Sequence, residues 1–128
     1  MNARSSPGKW LRKKAKAGVR AYPVGTVAFY GPDNARASKA AVGILAMPDA
    51  EADMRKWVCE TGDIRRDDVV LEEVVAYLRE QGVRSVAMID RIIGCPHEEG
   101  IDYPEGQSCP QCPYWASRDR WSGKRLDQ

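Results

Sequence analysis

The sequence predicts a small α+β domain, or a small α/β one, with a three-stranded sheet and two packed helices in the order β-β-α-α-β. Three observations predict it. Two runs rich in β-formers, Thr26–Tyr30 and Ala40–Leu45, stand close together. Two stretches with helical apolar spacing follow, one opening at Pro48-Asp49 and one at Asp67-Asp68. A third apolar run, Val83–Ile89, comes directly after the second of these, as a β-α-β unit requires.

Composition sets the frame for that reading. At 128 residues the chain is one domain. Its 43% hydrophobic and 30% charged content is that of an ordinary globular protein, so no special class has to be invoked. No apolar run approaches the roughly 20 residues that span a bilayer, which argues against a membrane partner. The basic N-terminus has no apolar segment behind it, so it does not read as a secretory signal, and a cytoplasmic location is expected.

Residues 1–20 read as a flexible basic arm. Ser5-Ser6-Pro7-Gly8 leads into a Lys/Arg run with Trp10 and Leu11 embedded in it. A short helix from Leu11 to Val19 fits the spacing, but Gly18 and the charge density oppose it. The folded body is expected over residues 21–117. Its first two strands form an antiparallel hairpin, and Gly31-Pro32-Asp33-Asn34 begins a long exposed loop that runs through Ser38.

Asp49 is placed to cap the first body helix, with Met54, Trp57 and Val58 at i, i+3 and i+4 and Thr61-Gly62 to stop it. Cys59 then lies on that helix as a small apolar residue. A charged connector, Asp63 to Asp68, leads to the second helix. There Leu71, Val74, Val75 and Leu78 form an apolar stripe, and Gly82 stands at the C′ position. The near-continuous apolar character of Val83–Ile89 predicts a central strand. Residues 118–128 read as a flexible basic tail.

The chemistry is concentrated beyond the last strand. Cys95, His97, Cys109 and Cys112 fall within eighteen residues and include the only histidine of the chain. Thiolates and an imidazole gathered so tightly are a ligand set for Zn²⁺, which takes four such donors in a tetrahedron. In a reducing compartment this pattern means metal before disulfides. Cys109-Pro110-Gln111-Cys112 is a knuckle that turns both sulfurs toward one ion, and the segment 95–112 resembles zinc-knuckle modules. Four protein ligands make the expected zinc structural, a staple for a modest core. The intervening loop has Gly100, Pro104 and Gly106 and gains its order from the ion. Glu98 and Glu99 read as a solvated pair.

His97-Glu98-Glu99 with Cys109 and Cys112 also resembles fragments of the zinc-dependent deaminase signature, H-x-E with C-x-x-C. That resemblance implies Glu99 as the acid/base of a zinc hydrolase or deaminase. Three features of this sequence depart from it. Too few residues separate the two halves for the family's helix-strand-helix spacing. Ser108 stands where the family has proline. Cys95 supplies a fourth ligand, which closes the sphere to water. No P-loop, G-x-G-x-x-G or G-x-S-x-G occurs, and Asp90 has no catalytic partner beside it in sequence.

Charge is distributed unevenly. Residues 1–32 contain no Asp or Glu, whereas residues 33–105 hold sixteen carboxylates against nine Lys and Arg. Lys9, Trp10, Arg12, Lys13, Lys14 and Lys16 at one end, and Arg118, Arg120 and Trp121 at the other, combine cations with aromatics as nucleic-acid contacts do. The same residues also suit a solubilising tail. Trp115 and Tyr114 read as a cover for the metal site. The functional expectation is a non-enzymatic binding module that touches nucleic acid or a nucleoprotein complex through its basic ends. The alternative is a protein–protein interaction adaptor whose acidic body supplies the surface.

Overall fold

A computed structural model describes residues 6–116. It contains α1 (Pro7–Ala17), β1 (Val24–Tyr30), β2 (Lys39–Leu45), β3 (Asp53–Val58), α2 (Asp68–Glu80) and β4 (Ser85–Ile92), with 3-10 turns at Ile64–Arg66 and Pro113–Trp115. The strands form one mixed sheet in the order β3-β2-β1-β4, with β1 antiparallel to β2, β2 antiparallel to β3, and β1 parallel to β4. The protein is therefore α+β with two helices and four strands, not three.

The additional strand occupies the stretch expected to be the first body helix. Met54, Trp57 and Val58 satisfy helical spacing, but the same six residues also alternate, with Arg55 and Trp57 on one face and Met54, Lys56 and Val58 on the other. Pairing with β2 along its whole length decides the outcome, with Ala40 opposite Trp57 and Val42 opposite Arg55. Arg55 then lies over the Trp57 ring at 4.9 Å and the Tyr77 ring at 5.4 Å, and Trp57 Nε1 donates to Glu73 at 3.0 Å. These contacts with α2 exist only in the strand conformation.

The second correction concerns the N-terminus. Over residues 7–17 the structure shows a helix in place of a flexible arm. Ser6 caps it by accepting from the Lys9 N–H, Pro7 opens it, and Gly18 at φ 81° ends it. Leu11 is 1% exposed and belongs to the main core, burial that stabilises by about 1.5–3 kcal/mol. The helix packs on β4 and α2, and the following turn is tied down by Ser85, whose Oγ accepts from the Arg20 and Ala21 N–H groups, both at 2.9 Å.

This docking also explains a third difference. The last strand is not central but an edge: α1 packs on it and Val86 and Ile92 are buried, while Ala87 and Ile89 are exposed.

Other elements form as read. Asp67 Oδ1 accepts from Val69 and Val70 N–H to start α2, whose Leu71, Val74 and Leu78 are buried. Gly82 at φ 70° closes it, with Gly82 N–H to Arg79 O and Val83 N–H to Leu78 O. The β1–β2 hairpin pairs Val24 with Leu45 through Tyr30 with Lys39. Its connection is less exposed than expected, because Ala37 and Ser38 are buried and Asp33 Oδ1 gathers the Ala35 and Arg36 N–H groups into a tight turn.

Both helices cover one face of the sheet. Val27, Phe29, Ala40, Val42 and Ile44 point toward them and, with Leu11, Ile64, Leu71, Val74, Leu78, Val86 and Ile92, form the core. The opposite face, which carries Tyr30, Lys39, Ala41, Met54 and Lys56, receives the segment after β4.

Candidate metal centre

The chain leaves β4 through Ile93 and Gly94, both buried, and turns at once into the ligand loop. Ile93 N–H donates to Phe29 O, and Gly31 N–H donates to Gly94 O at 2.9 Å, so the end of β1 fixes the point from which Cys95 departs. Gly31 is required there. A Cβ at this position would lie 2.0 Å from Arg36 O. The far end of the loop is held by Trp115, whose Nε1 donates to Gly31 O at 2.9 Å while its ring meets Tyr114 edge-on. Trp115 thus pins the knuckle to the body, as its position in sequence suggests.

Between these anchors Cys95, His97, Cys109 and Cys112 converge, with their ligand atoms all within 4.8 Å of one another. His97 Nδ1 lies 3.2 Å from Cys95 Sγ, 3.4 Å from Cys109 Sγ and 3.6 Å from Cys112 Sγ. A tetrahedron with metal–sulfur bonds of about 2.3 Å and metal–nitrogen bonds of about 2.0 Å has edges of roughly 3.6 Å, which the three nitrogen–sulfur distances match. The backbone supports this. His97 N–H points at Cys95 Sγ at 3.2 Å, and Cys112 N–H closes the knuckle on Cys109 O.

Burial raises the Cys95 and Cys112 thiols above their ordinary range, and the neighbouring sulfurs push Cys112 further. Burial and close neighbours thus disfavour the thiolate form of Cys95 and Cys112, a cost that a cation among the sulfurs would offset. The four residues could therefore hold a metal ion.

Glu99 is open to solvent and Glu98 partly so, as expected of a solvated pair, but each also has a partner. Glu98 pairs with Lys56 and lies 3.8 Å from Lys39, and the two ammonium groups, Lys56 foremost, hold its carboxyl below the usual range. Glu99 Oε2 accepts from Gly106 N–H at 2.7 Å, and Asp102 Oδ2 accepts from Glu98 N–H at 2.7 Å. With Gly100 N–H bonded to Tyr103 O, the loop has a hydrogen-bond frame of its own in addition to its metal ligands.

Lys39 is the residue that the sequence reading missed. Although 9% exposed, it donates from Nζ to Pro96 O at 2.8 Å and lies 5.8 Å from the Tyr30 ring centre, so the start of β2 is fastened to the backbone between two ligands.

The residues expected to touch nucleic acid are placed as follows. Lys9, Arg12, Lys13 and Lys16 lie exposed on α1. Lys14 is half-buried over the Trp10 ring at 5.7 Å, and Trp10 packs against the core. Arg118, Arg120 and Trp121 lie outside the described residues. Among those described, no helix is long and apolar enough to cross a membrane. No protein-family model, no curated protein and no solved structure matches this chain.

Proposed function

We propose that this chain is a zinc-stapled, non-enzymatic module that contacts nucleic acid through the outer face of α1, in a reducing compartment such as the cytoplasm. The observation that carries the reading is the stripe of Lys9, Arg12, Lys13 and Lys16, which recurs at i, i+3, i+4 and i+7 on a helix fixed to the body by Leu11. Seven residues of helix span about 10 Å, so four cations stand in a row at a spacing suited to successive phosphates. No acidic residue interrupts them in the first 32 positions.

Zinc is favoured by the donor set, three thiolates and an imidazole in tetrahedral spacing. A structural role is supported by the number of protein ligands, which leaves no position for an activated water. Glu99, the residue that a deaminase would need as its acid/base, is engaged with the Gly106 backbone. Arg118, Arg120 and Trp121 extend the proposed contact surface.

Fluorescence anisotropy of a labelled oligonucleotide, titrated with metal-loaded protein at several salt concentrations, tests the reading. The logarithm of affinity should fall against log salt with a slope of about −3 to −4 on a duplex. Replacing Lys9, Arg12, Lys13 and Lys16 together with glutamine should flatten it. Binding that ignores salt, or survives the quadruple substitution, refutes the α1 contact. Metal analysis that finds no zinc in the purified protein refutes the staple.

A further inference from the structure

On the side away from β4 the sheet ends in β3, and the hydrogen-bonding phase of that strand is fixed. Tyr30 O accepts from Ser38 N–H, so the even residues of β1 face β2, and Phe29 O and Gly31 N–H turn toward the β4 side. By register, Ala40, Val42 and Ile44 therefore turn their backbone groups toward β3, where they meet Trp57, Arg55 and Asp53. Cys59 N–H bonded to Ser38 O continues the same phase. The N–H and C=O groups of Met54, Lys56 and Val58 consequently point outward, and no strand among the described residues pairs with them.

The edge carries charge at Asp53, Arg55 and Lys56, but two large apolar side chains also lie open beside it. Val58 is 71% exposed and Ile101 is 77% exposed. They stand at the mouth of a cleft of about 480 Å³ that reaches past Pro96 to His97 and Cys112. Arg36, Lys39 and Lys56 also line this cleft, against the carboxylates of Glu98 and Asp102. On the other face of the strand the Arg55 guanidinium lies beside the Trp57 and Tyr77 rings.

We propose that β3 is a docking edge for an extended acidic peptide, which adds as a fifth strand and drops an apolar side chain into the cleft between Val58 and Ile101. Main-chain bonds to Met54, Lys56 and Val58 supply the pairing; the apolar side chains of an alternating peptide lie on the cleft face and its carboxylates on the other face, beside Arg55. A second copy of the chain is the poorer occupant. Outward-facing residues must pair with outward-facing ones, so the two symmetric antiparallel registers that use five of the six strand residues set Arg55 opposite Arg55 or Lys56 opposite Lys56, and like charges directly opposed are destabilising. An acidic strand meets Arg55 with the opposite sign.

The test uses the isotope-labelled, metal-loaded full chain and a blocked synthetic peptide of about seven alternating valine and glutamate residues. Amide shifts should concentrate on residues 53–58 and 101. Methylating the peptide nitrogens that face β3 should weaken binding about tenfold, and exchanging glutamate for lysine should weaken it by at least as much. Val58→Pro removes one outward N–H without touching the bonds to β2 and should lower affinity similarly. The methylated peptide keeps the test decisive if that variant misfolds. Equal binding of the methylated peptide, shifts that map to α1, absence of shifts on β3, or self-association through β3 each overturn the proposal.

Discussion

On the helix-covered face of the sheet, Phe29 is 2% exposed and Val74 and Leu78 are wholly buried, so that side is held by apolar area removed from water. Across the sheet, the segment 95–112 buries two sulfurs and little that is apolar, and its Ile101 is left 77% exposed. That side is held by directed contacts: the ligand atoms, the Lys39 and Lys56 ammonium groups, and the carboxylate-to-backbone bonds of Glu99 and Asp102. Area-based cohesion is distributed and lost by degrees as atoms are deleted. Directed cohesion is concentrated in a few atoms, so each one withdrawn removes a distinct share of it. The two faces should therefore respond to different perturbations.

The largest expected effect comes from the helix-covered face. Phe29→Ala removes the largest fully buried side chain from the middle of the core and should cost about 3–5 kcal/mol. In urea denaturation, signals from α2 and from the ligand loop should shift together, because the loop has no platform once β1 is lost. A variant that loosens the helices and leaves the loop protected would break the comparison.

Withdrawal of the proposed metal should do the reverse. A strong chelator is expected to abolish amide protection in residues 95–115 first, while β1 and α2 keep theirs, because the core does not pass through the ion. Hydrogen exchange followed by mass spectrometry resolves the two regions. Simultaneous loss across both faces would mean that the ion is part of the global fold.

How far the sequence discloses each face follows the same division. Helix α2 was legible because its signals are local: Asp67 as cap, the Leu71/Val74/Leu78 stripe and the glycine at 82. The four ligands were legible because soft donors at short spacing have few other uses. Strand β3 was not, since Met54, Trp57 and Val58 fit either period and only pairing with β2 chose between them. The edge position of β4 was hidden for a related reason. An apolar run suggests a strand covered on both sides, but in this one Val86 is buried while Ala87 and Ile89 are exposed. Helix α1 itself was masked by its cations, although Leu11, with Trp10 and Ala15 packed beside it, docks it on the core. The partners of Glu98 were illegible because Lys39 and Lys56 stand 59 and 42 positions away and nothing near any of the three announces the meeting.

Lys39 joins the two faces and gives the smallest and sharpest of these expectations. Its backbone belongs to β2, within the sheet, while its ammonium group holds Pro96 O and approaches Glu98. Lys39→Met keeps most of the apolar stem and removes the charge. A charged hydrogen bond is lost, but so is the cost of keeping an ammonium largely out of water, and Lys56 still neutralises Glu98. The net loss should be about 1 kcal/mol. It should appear as faster exchange at residues 96–98 with α2 unchanged, and it should grow when the metal is removed, because the lysine is then one of the few remaining ties between loop and sheet. If α2 loosens to the same degree, Lys39 acts through the packing of β2. If exchange changes only at the loop, the directed contacts form a unit that can be weakened one bond at a time without disturbing the core behind it.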